Sequence, residues 1–569
     1  MKLETFFKHF DLLAEAPNGV QKLRELILDL AVRGKLVPQD ANDEPAAVLL
    51  ERIKKEKERL VKEGKVKKEK SLPAIKDNEI PYDLPKSWEW VKLDYICSYI
   101  QRGKSPKYVD KSDFPVIAQK CIQWHGIELQ KAKFICPESV EKYSDERFLE
   151  TGDLLLNSTG TGTLGRVCIY IHEENIYKKV VADSHVTVIR PILIESKFIY
   201  FWIASDFVQS EIEAKSSGST KQIELATSTV KNYLFPLPPL NEQKRIVTKV
   251  DELMKLCDEL EARQKKKQET RILINNAALN KLLTAETPET FTKNWQRISD
   301  NFDLLYSAPE NIGKLRQAIL QLAVMGKLVP QNANDEPAAV LLERIKKEKE
   351  RLIKEGKVKK EKSLPAIKDD EIFYQLPNNW RWTKIGNLCL SIVPNRDKPK
   401  SFSGGYPWIT LSNFDENKIE LINNHSGLGL SDSEVREYNA RIIPNGSVIM
   451  SCVGRFGLVV VIDKDVVTNQ QIHGFVVPAS LNSKYLAYVI KSQKQFLDES
   501  AKSTTISYLN KTRCESIPIP LPPLAEQKRI VTKVDKLMKL CDELETKLTQ
   551  TQTEREKIIN AAVKQLLTV

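Results

Sequence analysis

Two stretches of the chain carry apolar residues at alternating spacings of three and four, which is typical of a coiled-coil seam. A helix over 240–283 would be about 66 Å long at ~1.5 Å per residue. Two such helices can bury their seams against each other, and the seam cysteines are then packing residues rather than reactive thiols. The seam positions are Val250, Leu253, Cys257, Leu260, Ile274 and Ala278 in the first stretch, and Val534, Leu537, Cys541, Leu544, Leu548, Ile558 and Ala562 in the second.

A shorter helix is predicted near the N-terminus. The residues Asn42-Asp43-Glu44-Pro45 supply a cap, acidic first-turn residues and an early proline. The helix should continue through Leu60 and end near Gly64, because glycine commonly follows the last turn.

The chain contains two internal repeats. The segment 34–76 recurs at 326–368, where 41 of 43 residues are identical. The segment 237–261 recurs at 521–545 and differs at two of 25 positions. Such self-similarity indicates a duplicated architecture.

Between the repeats lie two unlike stretches, 91–235 and 383–519, the second of which is eight residues shorter. The order constant–variable–constant therefore occurs twice. It indicates one scaffold that presents two different binding surfaces. Duplication followed by unequal drift is the alternative, although drift should not leave the frames nearly untouched.

Length and composition limit the class of protein. A chain of 569 residues is too long for one core and indicates about two to five domains. No run approaches the ~20 apolar residues that span a bilayer. Met1 leads into amphipathic sequence with Glu4 and Lys8 and without a secretory apolar region, so we expect a cytoplasmic protein.

The net charge of +11 is concentrated in two places, because 51–70 and 343–362 each hold ten Lys/Arg and five Glu. A basic helix can neutralise phosphates, but a solvated helix with internal Glu–Lys pairs is an equal alternative. The stretch 91–235 balances 18 Lys/Arg against 18 Asp/Glu. Overall charge is therefore weak evidence for nucleic-acid binding.

No catalytic, metal or cofactor site is predicted. The nine cysteines form no CxxC pair, and the six histidines show no metal-ligand spacing, although a carboxylate-only site is left open. The run Gly160–Arg166 approaches a phosphate-binding loop but lacks its lysine and hydroxyl, and the following Val167–Tyr170 is typical of a strand. The chain also lacks the Asn/Asp-Pro-Pro-Tyr/Phe tetrapeptide of amino-methyltransferases.

The variable stretches instead offer polar side chains on predicted loops. Arg, Gln, Asn and Lys read base edges, while Ser, Thr and Lys hold phosphates; an ordinary surface role is the alternative for each one. In the first stretch the candidate DNA-binding residues are Gln101, Arg102, Lys104, Lys107, Gln119, Lys120, Gln123, Trp124, His125, Asn157, Ser158, Thr159, Thr161, Thr163, Arg166, Ser219, Thr220 and Lys221. In the second they are Asn395, Arg396, Lys398, Ser412, Asn413, Ser451, Arg455, Asn469, Gln470, Gln471, Ser503, Thr504 and Thr505.

At 236–247 and 520–531, Pro-Leu-Pro-Pro-Leu-(Asn/Ala)-Glu-Gln-Lys-Arg-Ile-Val, the chain resembles the specificity subunit of type I restriction–modification enzymes. That family shows this motif at the exit of each target recognition domain. The stretch Gly446–Val453 departs from the pattern of its counterpart in the first half. Further resembling elements are Lys35–Pro38, Leu84-Pro85 with Trp88 and Trp90, Gly152–Thr159 and Gly218–Thr220.

The resemblance implies an α+β fold, in which two mixed β-sheet/helix recognition domains are separated by two long helices that form an antiparallel coiled coil, with a pseudo-two-fold repeat. The Val/Ile/Tyr-rich runs around 180–189 and 458–462 agree with sheet in those domains. The expected segments are an N-terminal helical region 1–84, a recognition domain 85–236, a helix 237–285, a repeated helical region 286–376, a second recognition domain 377–520 and a helix 521–569.

The resemblance also implies the function. Each recognition domain would read one half of a bipartite site in double-stranded DNA, and the coiled coil would set the spacer. Two methyltransferase subunits, which use S-adenosylmethionine, would dock on the repeated parts, and motor-nuclease subunits, which use ATP and magnesium, would join through the complex. The chain itself would be no enzyme, would need no cofactor and would contact no membrane.

Two rival hypotheses come from other classes. The first is a coiled-coil scaffold that joins two partner proteins without reading DNA. The second is a nuclease or methyltransferase that acts alone, which no motif supports.

Overall fold

The computed structural model describes residues 8–67, 72–172, 177, 179–219, 222–355, 364–393, 395, 398–421, 427–501 and 507–568. The chain divides into two compact units, of which the first comprises 1–266 with 551–569 and the second comprises 267–550. Each unit combines helices with mixed sheets, so the predicted α+β class is confirmed.

Two long helices contribute to both units. The first extends from Leu240 to Leu283, the bounds predicted from the sequence, and the second extends from Leu524 to Thr568. Each unit therefore contains the beginning of one long helix and the end of the other.

Within the first unit, the two long-helix segments are antiparallel. Along the helix Gly19–Val32 and its flanking residues, the contacts reach progressively earlier residues of the first long helix and progressively later residues of the second. In order along the chain, these hydrogen bonds are Gln264 to the Ala14 carbonyl (2.9 Å), Lys22 to Glu556 (3.1 Å), Lys35 to the Leu567 carbonyl (3.0 Å) and Gln39 to Glu242 (2.6 Å).

The second unit has the same arrangement around the helix Pro309–Val324. Here the contacts reach progressively later residues of the first long helix and progressively earlier residues of the second. The two segments are therefore again antiparallel. In order, they are Gln268 to Glu310 (3.1 Å), Lys314 to Asn276 (2.6 Å), Arg316 to Glu545 (3.0 Å), Lys327 to the Leu283 carbonyl (2.8 Å) and Gln331 to Glu526 (2.7 Å).

The predicted seam is correct over its first heptads and wrong at two later positions. Val250, Leu253, Cys257 and Leu260 are buried together with Ile559 and Leu566. Burial raises the pKa of Cys257 to about 11, as expected for a packing thiol. Ile274 and Ile558, by contrast, are exposed. The polar stretch 264–271 interrupts the repeat, and beyond it the buried positions move by one residue, to Asn275 and Leu279 in the first helix and to Ile559 in the second.

The predicted N-terminal helix forms over Ala46–Lys62, and Gly64 follows it with a φ of +72°. Its repeat forms over Ala338–Lys354. The other short helices of the first unit are Phe10–Ala14, Gly19–Val32, Pro137–Val140, Ser196–Ala204, Asp206–Lys215 and Thr227–Asn232. Those of the second are Pro288–Asp300, Phe302–Leu305, Pro309–Val324, Ile385–Leu388, Asp432–Glu437, Ser483–Ser492, Lys494–Ser500 and Lys511–Glu515.

The variable stretch of the first unit contains two four-stranded sheets. One is antiparallel, in the order Cys97–Arg102, Val186–Pro191, Leu154–Asn157, Val167–Ile169. The other is mixed, in the order Val181–Ala182, Pro115–Ile117, Lys133–Ile135, Tyr108–Val109. Two short ribbons pair Ile122–Gln123 with Gly126–Ile127, and Ser217–Ser219 with Gln222–Glu224.

The variable stretch of the second unit also contains two four-stranded sheets, and its antiparallel sheet has the same strand order as that of the first unit. Its antiparallel sheet has the order Leu390–Ile392, Ile472–Val476, Val448–Ser451, Val459–Val461. Its mixed sheet has the order Gly429–Leu430, Tyr406–Ile409, Val466–Thr468, Ile442–Ile443. The same antiparallel sheet thus forms from two sequences that barely align, and its strands Leu154–Asn157 and Val448–Ser451 are buried at every residue. The mixed sheets differ in strand order, because Val181–Ala182 lies at the edge whereas Val466–Thr468 lies in the interior.

In each unit, a buried carboxylate joins the repeated part of the chain to the first turn of the long helix that follows the variable stretch. The strand Glu89–Lys92 pairs with Leu234–Leu237, directly before the first long helix begins. In its first turn Glu242, 1% exposed, accepts hydrogen bonds from the Trp88 indole (2.9 Å) and from Gln39 (2.6 Å). Burial raises the pKa of Glu242, so the carboxylate depends on these two donors for compensation.

The neighbouring residues of the exit motif make further connections. Gln243 accepts from the Glu195 amide (3.1 Å) and donates to the Pro238 carbonyl (2.9 Å). Arg245 pairs with Asp43 at 2.7 Å, before the helix Ala46–Lys62. The second unit repeats the set with Trp380–Glu526 (2.9 Å), Gln331–Glu526 (2.7 Å), Asn482–Gln527 (3.0 Å) and Arg529–Asp335 (2.6 Å).

Replacing Glu242 with alanine should leave the buried Trp88 indole N–H without its acceptor. We expect the local free energy of unfolding of the first unit to fall by about 1–3 kcal/mol. Amide hydrogen exchange over 34–92 measures this loss. Glu259→Ala is the matched control, because Glu259 is exposed on the same helix. Equal protection in the two variants would contradict the anchoring role of Glu242.

Candidate nucleic-acid interface

One end of the first variable domain gathers four turns, which we call the first turn cluster: 102–104, 118–121, 157–166 and 183–185. Backbone hydrogen bonds join them. Gly103 donates to the Val186 carbonyl (3.0 Å), Ser158 to that of His185 (3.0 Å) and Asp183 to that of Ile117 (2.9 Å). Candidate residues from distant parts of the chain are thereby fixed side by side.

Glycine is required at position 103 of this cluster. A Cβ atom there would lie 1.9 Å from the Ala182 carbonyl oxygen and 2.5 Å from that of Asp183. The close approach of these two backbones brings the turn 102–104 against the turn 183–185.

Several predicted residues contact each other within the cluster. Asn157 donates to the Gln119 carbonyl at 3.1 Å, and Thr159 donates to the Gln119 side chain at 3.2 Å. Arg166 donates to the Gln123 side chain at 3.1 Å. Gln119, Gln123 and Arg166 are half-buried, so each residue keeps part of its surface accessible to solvent.

Arg102 is held at the edge of the cluster. Its guanidinium donates to Glu224 and to the Leu225 carbonyl, both at 2.6 Å. A DNA phosphate or base would have to compete with Glu224 for this side chain.

The remaining candidates of this domain differ in access. Asn157 and Ser158 are fully buried, and Ser158 bonds to Thr187, so both have internal roles in this structure. Ser219 lies in the strand Ser217–Ser219, while Thr220 and Lys221 lie outside the described residues. Gln101, Arg102, Thr159 and Thr163 are half-buried, and Lys104, Lys107, Lys120, Trp124, His125 and Thr161 are exposed.

The second domain contains an equivalent cluster, 410–413, 451–455 and 469–471, which we call the second turn cluster. Cys452 donates to the Gln471 carbonyl at 2.8 Å, as Ser158 does to His185. Asn469 donates to the Ile409 carbonyl at 3.0 Å, as Asp183 does to Ile117. The hydrogen-bond register therefore aligns 183–185 with 469–471.

This register shows that equivalent positions carry different side chains. The backbone amides of Asn157 and Ser451 donate to the carbonyls of Arg166 and Leu458, respectively, so Arg166 of the first cluster corresponds to the buried Leu458, which follows the second cluster. The 3-10 turns Gln119–Cys121 and Leu411–Asn413 are likewise equivalent, and Ser412 in the second turn occupies the position of Lys120 in the first. One backbone frame thus presents two chemically different surfaces.

The predicted residues of the second domain are also split between internal and exposed positions. Asn395, Asn413 and Ser451 are buried; Asn395 donates to the Thr468 carbonyl at 2.8 Å. Asn469 and Gln471 are half-buried, and Lys398, Ser412, Arg455 and Gln470 are exposed, with Arg455 paired to Glu416 at 2.7 Å. Arg396, Ser503, Thr504 and Thr505 lie outside the described residues.

The prediction that these residues lie on loops was wrong in part. Gln101 and Arg102 are the last two residues of the strand Cys97–Arg102, and Asn157 and Ser451 are the last residues of the buried strands Leu154–Asn157 and Val448–Ser451. Asp183, Ser184 and His185 also lie in the first turn cluster, although they were not among the predicted residues. Their only sequence signal was their place directly before the strand Val186–Pro191.

The described parts of the basic helices favour the ion-pair interpretation. Arg59 pairs with Glu56 (2.6 Å) and Glu63, and Arg351 pairs with Glu348 (2.7 Å) and Glu355 (3.1 Å). In the portion of the chain that the structure describes, no helix is long and apolar enough to cross a membrane, and no group of three or more His, Cys, Asp and Glu could hold a metal ion.

Comparisons with known proteins agree with this duplicated architecture. The chain matches the family "Type I restriction modification DNA specificity domain" over residues 85–270 and 377–552. It is 33% identical over 575 residues to the type I restriction enzyme EcoEI specificity subunit of Escherichia coli, covering 95% of this chain and 93% of that protein. The EcoAI specificity subunit of the same organism is 32% identical over 547 residues, covering 92% and 90%.

A solved structure has a similar fold. It is described under complex assembly and conformational transition of the type I R-M system, and the likeness has a TM-score of 0.50 at 18% sequence identity. It covers 86% of this chain and 99% of the solved chain.

Replacing Gly103 with alanine should push the turn 102–104 away from the turn 183–185, because the new Cβ would overlap backbone atoms. We expect a loss of about 1–3 kcal/mol in the free energy of unfolding of the first unit, as for other overpacked sites. Denaturant-dependent hydrogen exchange of that unit measures it. Gly405→Ala is the control, since nothing lies within 4 Å of its Cβ position. A fully stable Gly103→Ala protein would refute the close approach.

Proposed function

This chain belongs to the specificity subunits of type I restriction enzymes, and on that premise we propose that it selects the DNA sequence on which a type I restriction–modification complex acts. Each recognition domain reads one half of a bipartite site in double-stranded DNA through its turn cluster. The chain determines at which DNA sequence the complex acts, and partner subunits catalyse the reactions.

The observation that carries this proposal is the pairing of a constant frame with variable turns. The exit-motif contacts around Glu242 and Glu526 are the same in the two units. The turn clusters, in contrast, share a hydrogen-bond register but not their side chains. A protein that reads two different half-sites needs this combination, whereas a symmetric protein scaffold gains nothing from it.

The chemistry of the first turn cluster suits duplex DNA. Lys104 and Lys120 are exposed cations that can neutralise phosphates. Gln119, Gln123 and Arg166 are partly accessible and offer the amide and guanidinium groups that read base edges in the major groove. Phosphate contacts would set the position of the domain, and base contacts would set its specificity.

The long helices support a role in spacing the half-sites. Each unit holds antiparallel segments of both helices, so a helical pair leads out of each recognition domain. A helix has a fixed rise per residue. We assign the length of the unspecified spacer to this pair.

The repeated helical parts are the proposed docking surfaces for partner subunits. The helices Ala46–Lys62 and Ala338–Lys354 differ at one position, Val61/Ile353, and present nearly the same exposed residues. Two equivalent surfaces fit two methyltransferase subunits, which would bind S-adenosylmethionine. Motor-nuclease subunits, with ATP and magnesium, would join through that complex.

Exchanging 91–235 for the corresponding segment of the EcoEI specificity subunit should change one half-site and leave the other intact. The reason is that each turn cluster is built within one unit. Single-molecule methylation sequencing of cells that carry the partner subunits reads both halves. The matched exchange of 383–519 should change only the other half. A change in both halves from either exchange would contradict modular reading, and methylation without sequence preference would favour the protein-scaffold hypothesis.

Lengthening both long helices by one heptad, after Leu260 and after Gln550, should lengthen the spacer without changing either half-site. Seven residues keep the seam in phase and lengthen each helix by about 10 Å. Because successive base pairs are ~3.4 Å apart along the duplex, this length corresponds to at most about three base pairs. Methylation sequencing again gives the spacer. A control with seven residues inserted after Thr287, beyond the first long helix, should leave the spacer unchanged. An unchanged spacer in the doubly lengthened variant would refute the role of the helices.

A further inference from the structure

The turns 183–185 and 469–471 occupy equivalent places in the two clusters and share an internal hydrogen-bond pattern. In each, the first residue accepts from the backbone amide two positions later, at 3.1 Å for Asp183 and 3.0 Å for Asn469. In each, the same first residue also bonds to the side chain two positions later, His185 or Gln471. The outer residue is therefore oriented by the inner one.

In the second domain this pattern fixes which atoms face outwards. Because the Asn469 Oδ1 atom accepts from the Gln471 amide, the Asn469 Nδ2 atom must point to the Gln471 side chain. It donates to the Gln471 Oε1 atom at 3.1 Å. The Gln471 Nε2 group is left as a hydrogen-bond donor, with no acceptor among the residues that the structure describes.

In the first domain the same pattern gives the opposite polarity. Asp183 is buried, and although burial opposes ionisation, hydrogen bonds from Tyr108 and His185 lower the pKa of this carboxyl. An ionised carboxylate cannot donate, so the His185 Nδ1 atom carries the hydrogen that bridges to the Asp183 Oδ1 atom at 2.6 Å. In the neutral ring, the Nε2 atom is then a hydrogen-bond acceptor.

The position of His185 fits contact with DNA. Its side chain is 52% exposed, whereas that of Asp183 is 6% exposed. The His185 carbonyl accepts from Ser158, and the adjacent Val186 carbonyl accepts from Gly103, so the backbone that carries the ring is hydrogen-bonded to two other turns of the first cluster. The backbone amide of His185 already satisfies Asp183, so closing the turn does not require the exposed ring.

We propose that His185 and Gln471 are base-reading residues at equivalent positions of the two half-sites, with His185 accepting a hydrogen bond from an exocyclic amino group and Gln471 donating one to a base acceptor. In the major groove the amino groups are those of adenine N6 and cytosine N4, and the acceptors are N7 and O6 of guanine, N7 of adenine and O4 of thymine. Asp183 and Asn469 are positioning residues that set this polarity. The inference rests on the proposed function and specifies how it is performed.

The test is to give each turn the hydrogen-bonding side chains of the other turn. The double variant Asp183→Asn with His185→Gln gives the first domain the donor of the second. At one position of the first half-site, cytosine, which offers only an amino donor in the major groove, should lose about tenfold in preference relative to guanine and thymine, which offer acceptors, while the second half-site stays unchanged. The reciprocal variant, Asn469→Asp with Gln471→His, should move one position of the second half-site in the opposite direction.

The measurement is selection from DNA randomised in both half-sites, using the full chain assembled with its methyltransferase subunits. Glu213→Ala is the control, because Glu213 is exposed on the helix Asp206–Lys215, outside the first turn cluster, and it should leave base preference unchanged. Thermal unfolding of each assembled variant shows whether a fold defect accompanies a change. Should the first double variant misfold, His185→Ala provides the second readout, with selectivity lost at one base position only.

The outcomes separate the two levels of inference. A wild-type complex that selects both half-sites, together with double variants that move no base preference, would overturn the roles of His185 and Gln471 and leave the proposed function intact. A wild-type complex that selects no sequence would overturn the proposed function itself. A shift confined to one position of the matching half-site is the result we expect.

Discussion

The structure depends on a buried carboxylate at the start of each long helix. Glu242 receives the Trp88 indole and Gln39, and Glu526 receives Trp380 and Gln331, so one residue joins the helical frame, the variable domain and the long helix. A carboxylate in that setting is tolerated only while both donors are present, because an unpaired buried charge is expensive. The exit motif is therefore identical in the two halves at these positions for a reason of energy, whatever each domain reads.

This constraint separates what is fixed in the molecule from what varies. Around Glu242 and Glu526, contacts repeat nearly atom for atom, and the paired strands close each variable domain at its base. In the turn clusters, the turns Asp183–His185 and Asn469–Gln471 share a hydrogen-bond pattern but carry different side chains. A backbone register tolerates different side chains. Specificity can thus change in the turns without disturbing the frame.

Much of the fold could be predicted, because it follows from local signals. The heptad spacing predicted the first long helix, which extends over Leu240–Leu283, and the run after Arg166 predicted the strand that forms over Val167–Ile169. The seam positions beyond Leu260 could not be predicted correctly, because the polar stretch 264–271 interrupts the heptad spacing. Trp88 and Glu242 are 154 residues apart, so their contact had no sequence signal beyond the repetition of both. Asp183–His185 was missed because only the hydrogen-bond register aligns it with Asn469–Gln471.

The central claim, that this chain selects the DNA sequence for its partners, is tested most directly by reading adenine methylation across the genome of the source cell with and without its gene. The account predicts that deleting the gene removes one two-part motif with a fixed gap, and that restoring it returns both halves together. A methylation pattern that contains such a motif and does not change on deletion would contradict the account.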